Sequence, residues 1–382
     1  MANTRQSLFF KFATLFFGLA FTLASCSDDE SEGLTPPTPS GNDQLKASYT
    51  TDRSKALKIG TTDKFESYVW TVADVAGKDS IISQSDTLTY LSAKTGTLNV
   101  KLTAIMANVT YTYTTEIKTQ KEAEAYNLYQ TKVIDLLVAP GQFVNEKNQY
   151  GAFYEEGDTK DSVLAKANEN YIGKDSKLIS LGGFGGYIIV GFDHTIVNSN
   201  DPYHFKITGN AFANFAEPGV VMVAYDKNAN GKPDDDEWYE LAGSEYANSI
   251  KNYEITYTKP DPLNADVPWT DNQGNSGIVK RNSFHNQASY FPLWAGTDKI
   301  TFKGTLLPNQ KSGNVAFEYG YADNQPTSDS FNINWAVDAN GNKVTLPGVD
   351  FIKVYTGQNK DGGIFGEIST EFKNVMDLTL ED

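Results

Sequence analysis

The sequence of 382 residues holds one cysteine and three histidines. A single Cys excludes an intramolecular disulfide framework, a cysteine-ligated zinc site and an iron–sulfur cluster. The histidines, His194, His204 and His285, stand 10 and 81 residues apart and fit no zinc-ligand spacing. His194 and His204 fall at strand ends, where a satisfied structural imidazole is the expectation. Basic residues are also scarce. Lys and Arg number 32 against 48 Asp and Glu, a formal net charge of −16. That deficit excludes nucleic acid as a partner, because phosphate binding needs clustered cations. No G-x-S-x-G occurs, so there is no serine elbow. The glycines of Leu181-Gly-Gly-Phe-Gly-Gly-Tyr187 do not spell G-x-G-x-x-G and precede no helix. They read as a close backbone approach or a bulge at the start of a strand. What is present is 40% hydrophobic and 13% aromatic residues. That is enough for packed cores, in a chain long enough for two domains.

Residues 1–25 read as a targeting segment. Arg5 and Lys11 precede an apolar run over 12–23, too short for the about 20 residues of a membrane helix. The run ends in Leu23-Ala24-Ser25-Cys26, which resembles a bacterial lipobox. The resemblance implies that Cys26 is lipidated, becomes the mature N-terminus and anchors the chain to the outer membrane. The alternative is an ordinary secretory signal. Removing 1–25 takes two basic residues and no acids, so the charge becomes 30 − 48 = −18. The run Ser27-Asp28-Asp29-Glu30 resembles the surface-export signal of Bacteroidota lipoproteins; otherwise it is a solvated acidic tether. Segment 26–44, with its Pro-rich stretch, is the tether and linker.

Beyond the linker the expectation is all-β. In 45–120, Tyr68-Val-Trp-Thr-Val72, Leu98–Ala104 and the Thr- and Tyr-rich alternation over 110–117 are strand signatures. They resemble a PKD or immunoglobulin-like sandwich, with Trp70 as its core tryptophan. Residues 121–130 read as a connector. Over 131–382, strands are expected at 133–138, 187–192, 203–208, 219–225, 253–258, 299–303, 316–321 and 351–356. One helix is expected at 161–171, capped by Asp161-Ser162. This pattern predicts a larger, jelly-roll-like β-sandwich that carries the ligand site.

Pro140-Gly-Gln-Phe-Val-Asn145, the 181–194 stretch, Gly209-Asn-Ala-Phe212, Glu217-Pro-Gly-Val-Val-Met222, Glu237-Trp-Tyr-Glu-Leu-Ala-Gly-Ser244, Asp350-Phe-Ile-Lys-Val-Tyr355 and Gly366-Glu-Ile-Ser-Thr-Glu371 stand together. They resemble the "cell surface protein" lipoproteins of gut Bacteroidota that carry a PKD-like domain before a β-sandwich. The resemblance implies a non-enzymatic outer-membrane lipoprotein facing the extracellular side. It also implies capture of a nutrient, a cobamide first, for a TonB-dependent transporter. The alternative is a glycan-binding or adhesion lipoprotein.

The strongest chemical motif is Asp226-Lys-Asn228-Ala-Asn230-Gly231-Lys232-Pro-Asp234-Asp-Asp-Glu237, which matches D-x-[DN]-x-[DN]-G-x5-E. Side-chain oxygens of Asp226, Asn228, Asn230, Asp234 and Glu237, with the Lys232 carbonyl, would surround a structural calcium ion. A strand rather than a helix precedes it, so it reads as an EF-like loop between strands. The alternative is an acidic turn that binds nothing. Asp338-Ala-Asn340-Gly-Asn342 lacks the final acid and reads as a plain turn. The long segment 259–296 supplies the ligand candidates Trp269, Arg281, His285, Tyr290 and Trp294, since aromatic faces beside Arg and amide donors suit sugars or planar cofactors. The other reading is that these side chains pack the loop onto the sandwich. Among abundant acids, Glu217, Glu237 and Glu240 are the carboxylates weighed for glycosidase chemistry, and spacing alone selects no pair.

Overall fold

A computed structural model describes residues 38–41, 44–73, 77–146, 155–310 and 313–380. The targeting segment, Cys26, the run Asp28-Asp29-Glu30 and most of the linker lie outside them.

The strand Gly219–Ala224 shows how sequence becomes layers. Its residues Val220 to Val223 are apolar without a break, which is the signature of a strand covered on both faces. Period-two alternation splits them. Val221 and Val223 enter one hydrophobic core and Val220, with Met222 at its margin, the other. The same division runs through the neighbouring strands. Ile188, Val190, Ile352 and Val354 face the first core, whereas Tyr187 and Tyr355 face the second.

These strands belong to a central sheet. Its order is Ala336–Val337, Trp238–Leu241, Gly219–Ala224, Gly348–Thr356, Tyr187–Val197 and Lys132–Leu137, with Tyr321–Ala322 paired beside Gly219–Ala224. Two layers cover it. The first core is closed by Phe205, Ile207, Phe331 and Val375 of a three-stranded sheet, together with the helix Lys160–Asn170. The second is closed by Tyr253, Ile255, Tyr257, Ile300 and Phe302 of a four-stranded sheet, in the order Ser276–Val279, Val267–Asp271, Ile250–Thr258, Lys299–Leu306.

A third core lies wholly within residues 45–117. It sits in a five-stranded sheet ordered Ser48–Asp52, Val109–Gln120, Gly96–Met106, Ser67–Ala73, Asp79–Ser83, with the pair Leu57–Gly60 and Thr87–Tyr90 beside it. Trp70 is fully buried there and donates its indole N–H to the Ser85 carbonyl at 2.8 Å. The fold is all-β, as expected. Residues 39–382 form one compact unit.

Three expectations need correction. The helix runs Lys160–Asn170, and Thr159 caps it, not Asp161-Ser162. Thr159 Oγ1 accepts from the Ser162 amide (3.3 Å) and Ser162 Oγ accepts from the Thr159 amide (2.8 Å), a reciprocal box that satisfies two helix-entry donors. Thr159→Ala therefore costs about 1 kcal/mol of unfolding free energy, read by urea denaturation. The strand expected at 316–321 is only Tyr321–Ala322. Upstream, Asn324 holds both the amide and the carbonyl of Phe317 and substitutes for a ladder (2.7 and 2.9 Å). The long loop 259–296 contains a hairpin, Val267–Asp271 with Ser276–Val279. Asp271 closes its turn by accepting from Gln273 and Asn275.

The glycine stretch does what its pattern suggested. Gly182 adopts φ +73°, and a Cβ there would stand 2.0 Å from the Ala139 carbonyl oxygen. At Gly186 a Cβ would meet the Leu181 carbonyl oxygen at 1.9 Å. The two chain segments touch backbone to backbone, and only glycine allows it.

Candidate functional site

The strand Trp238–Leu241 pairs antiparallel with Gly219–Ala224, placing Glu240 opposite Met222. Alternation then puts Trp238 and Glu240 on the side of the central sheet that the four-stranded sheet covers. Cover is incomplete there, and a groove of about 260 Å³ opens. Trp238 and Tyr246 supply aromatic surface. Glu240, Lys251, Asn252, Lys303, Thr305 and Asp338 supply polar groups, and Tyr355 forms part of the lining.

The polar groups are tied to one another. Glu240 Oε2 accepts from Thr305 Oγ1 at 2.5 Å, and Glu240 Oε1 lies 3.4 Å from Lys251 Nζ. Lys251 Nζ also stands 3.2 Å above the centre of the Tyr246 ring, a cation–π contact. Burial raises the Glu240 carboxyl above its usual range, against the lowering pull of Thr305 and Lys251. Burial likewise lowers the Lys251 ammonium, against the raising pull of Glu240. Each charge is thus partly stripped of water and leans on the other. Such a pair offers directed donors and acceptors to hydroxyl groups at small further desolvation cost.

Asp338, in the turn read as a plain one, accepts from the Asn340 and Asn342 amides and from Asn342 Nδ2 at 2.8 to 3.0 Å. These bonds, led by Asn342, hold its carboxyl below the usual range.

The loop 226–237 opens directly into this strand. It lies between Gly219–Ala224 and Trp238–Leu241, with a short 3-10 turn at Asp235–Glu237. Asp226 Oδ1 and Oδ2 accept from the Asn230 and Gly231 amides (3.0 and 2.7 Å). Gly231 is at φ +77°, the left-handed conformation this turn requires. The side-chain amides of Asn228 and Asn230 both reach Asp234 Oδ2, at 2.6 and 2.8 Å. Asn230 Oδ1 accepts from the Lys232 amide, and buried Glu237 accepts from the Lys227 and Asp234 amides. The side chains at 228, 230 and 234 therefore meet. Presenting the Asn228 and Asn230 oxygens at that point costs the bonds their Oδ1 atoms accept from the Asn230 and Lys232 amides (3.0 and 2.7 Å). The loop also touches the N-terminal part of the chain, where Lys58 Nζ donates to the Lys227 carbonyl at 2.6 Å.

Of the five ligand candidates from 259–296, Arg281, His285 and Tyr290 meet in one packed cluster, where Tyr290 Oη donates to the His285 carbonyl at 3.1 Å. Tyr290 is fully buried and Trp294 is 2% exposed, so both pack the interior and present no face to a ligand. Arg281 stacks on Tyr290 at 4.4 Å and donates to the Gln287 carbonyl. His285 leans on Glu146 (3.0 Å) and on the edge of Phe143. Trp269 alone lines a recess, a small one of about 90 Å³ with Ile278, Lys280, Lys360 and Asp361.

The three histidines stay apart. His194 bridges Asp193 and Asp377 (2.7 and 2.9 Å) and stacks on Tyr126. His204 contacts the Ser199 carbonyl and the Ile333 amide, so both its ring nitrogens are used. Glu217, Glu237 and Glu240 have separate sets of partners. The groove residues Trp238, Tyr246 and Lys251 were missed in the sequence. Their signal was the strand that follows the calcium-like loop, where Trp238 and Glu240 are two residues apart.

No family model matches the chain, and no curated protein matches it. Similar solved structures include SusE-like protein BT2857, 9% identical, covering 86% of this chain and 94% of that one with a TM-score of 0.28. A structure of carbohydrate-binding modules from the β-sandwich superfamily is 13% identical, covering 85% of this chain and 92% of that one with a TM-score of 0.15.

Proposed function

We propose that the chain is a non-catalytic glycan-binding protein of the cell surface, and that the groove around Trp238 and Glu240 holds the sugar. One observation carries this reading. Aromatic surface from Trp238 and Tyr246 shares a groove of about 260 Å³ with the desolvated Glu240–Lys251 pair, Thr305 and Asn252. Sugar rings need both an apolar face to stack on and convergent donors and acceptors for hydroxyls. The lipobox-like Leu23-Ala24-Ser25-Cys26 supports a lipid anchor at Cys26, and the following acidic run supports display on the outer face of the outer membrane. Capture of a cobamide for a TonB-dependent transporter rests on sequence resemblance alone, and a groove of this size suits a short sugar segment better than a corrin with its nucleotide loop.

The test is a glycan array probed with the full chain. Signal above background on a chemically related set of glycans is expected, and background alone refutes the reading. Cleavage of a bound glycan that Glu240→Gln abolishes would replace the non-catalytic reading with an enzymatic one.

Calcium is proposed as a structural ion of the loop 226–237, held by Asp226, Asn228, Asn230, the Lys232 carbonyl, Asp234 and Glu237. The meeting of the 228, 230 and 234 side chains supports it. Asp226→Ala should remove one bound calcium per chain, counted by mass spectrometry of the metal after dialysis. It should also weaken the rise in melting temperature that calcium produces. An unchanged metal count sinks this assignment.

A further inference from the structure

Away from the groove and the loop, three carboxylates converge. Glu217 lies just before the strand Gly219–Ala224, Asp323 just after Tyr321–Ala322, and Glu371 opens the strand Glu371–Phe372. One oxygen from each lies within 4.8 Å of the others. Asp323 is 1% exposed, Glu371 is 2% exposed and Glu217 is half-buried.

The surrounding backbone clamps the three in place. Asp323 Oδ1 accepts from the Asn210 and Ala211 amides (2.7 and 2.8 Å) and its Oδ2 from the Glu371 amide (3.0 Å). Gly209 makes room, since a Cβ there would stand 2.3 Å from Asp323 Oδ1. Glu217 Oε1 accepts from the Ser369 amide at 3.1 Å, and Glu371 Oε1 accepts from Ser369 Oγ at 3.1 Å.

Glu371 Oε2 is buried and accepts no hydrogen bond, and the polar groups its carboxyl meets besides Ser369 are the carboxyls of Glu217 and Asp323. Among the described residues, no Lys, Arg or His lies within ion-pair distance of the three; the cation that feels them is Lys360, through the charge of Glu217. A buried carboxylate oxygen without a donor, beside two further carboxylates, is costly unless a cation or a shared proton sits among them. The donors are all hard oxygens, and no His or Cys joins them, which suits calcium, magnesium or manganese rather than the softer transition metals. Magnesium demands a near-ideal octahedron and keeps its waters, whereas calcium accepts irregular carboxylate sets.

We propose that Glu217, Asp323 and Glu371 form a second calcium site, inside the sandwich, with half-buried Glu217 on its open side. Three converging carboxylates place its affinity in the range of sensor-type sites, with Kd on the order of 10⁻⁶ M.

The experiment uses the full chain carrying Asp226→Ala, which disables the loop. The protein is stripped with chelator and titrated calorimetrically with calcium chloride and, separately, magnesium chloride. One calcium should bind per chain, at least tenfold more tightly than magnesium, and should raise the melting temperature. Adding Glu371→Gln should abolish both effects without lowering the melting temperature of the metal-free protein, because it removes a charge from a repelling trio. Glu217→Gln, at the half-buried member, gives the same readout should Glu371→Gln fail to fold. An Asp226→Ala protein that binds no calcium overturns the proposal, since the trio is then neutralised by shared protons. Calcium binding that survives the glutamine variants also overturns it.

Discussion

Trp238→Ala lowers affinity for the glycan selected on the array by about 30-fold, the equivalent of roughly 2 kcal/mol. The side chain is half-buried at the groove wall, so the fold survives while the stacking surface is lost. Trp269→Ala is the informative companion. Trp269 lines a separate recess of about 90 Å³, and its substitution should leave affinity within about twofold. Calorimetric titration of one glycan into both variants reads the comparison. A loss confined to Trp269→Ala would move the binding site to the hairpin Val267–Asp271 with Ser276–Val279 and overturn the groove.

Acid groups buried without cations predict an inverted pH dependence of stability. Burial pushes Glu367 up to about 8, and the amides of Gln142 and of Glu367 itself only partly oppose this. Burial pushes Asp329 up to about 7, against the Asn324 and Gln325 amides. Glu367 Oε1 accepts from the Gln142 amide at 2.9 Å, while its Oε2 has no partner. Between the unfolded values near 4 and these folded values, the native state binds more protons than the unfolded chain. Stability from these groups is therefore fully present at low pH and falls as pH rises toward 8. For Glu367 the upper bound is on the order of 5 kcal/mol. Glu367→Gln should flatten that decline and be more stable than the unsubstituted protein at pH 8. Urea denaturation at pH 5 and pH 8 checks it. A decline of equal steepness in the variant would show that Glu367 titrates normally.

Much of the architecture was legible because it rests on local chemistry. The Thr and Tyr alternation of 110–117 and the apolar stretch of 219–225 each announce a strand, whereas cover on both faces of the second is seen only in the two cores it enters. The glycines at 182 and 186 signalled close backbone approach, which is where the chain touches itself. The groove was much less legible. Trp238, Tyr246, Lys251 and Thr305 are scattered over nearly seventy positions, and they meet through two pairings in different sheets, Trp238–Leu241 with Gly219–Ala224 and Ile250–Thr258 with Lys299–Leu306. Aromatic density in 259–296 pointed elsewhere because Tyr290 and Trp294 signal packing as strongly as they signal a ligand. The carboxylate trio had no sequence signature. Glu217, Asp323 and Glu371 are each unremarkable in an acidic chain, and their meeting depends on three distant strand ends.

The most direct measurement is a crystal structure of the full chain grown with the array-selected glycan. A sugar ring stacked on Trp238, with hydroxyls bonded to Glu240 and Lys251, is the predicted result. Glycan density on Trp269, or anywhere away from that groove, would contradict the account.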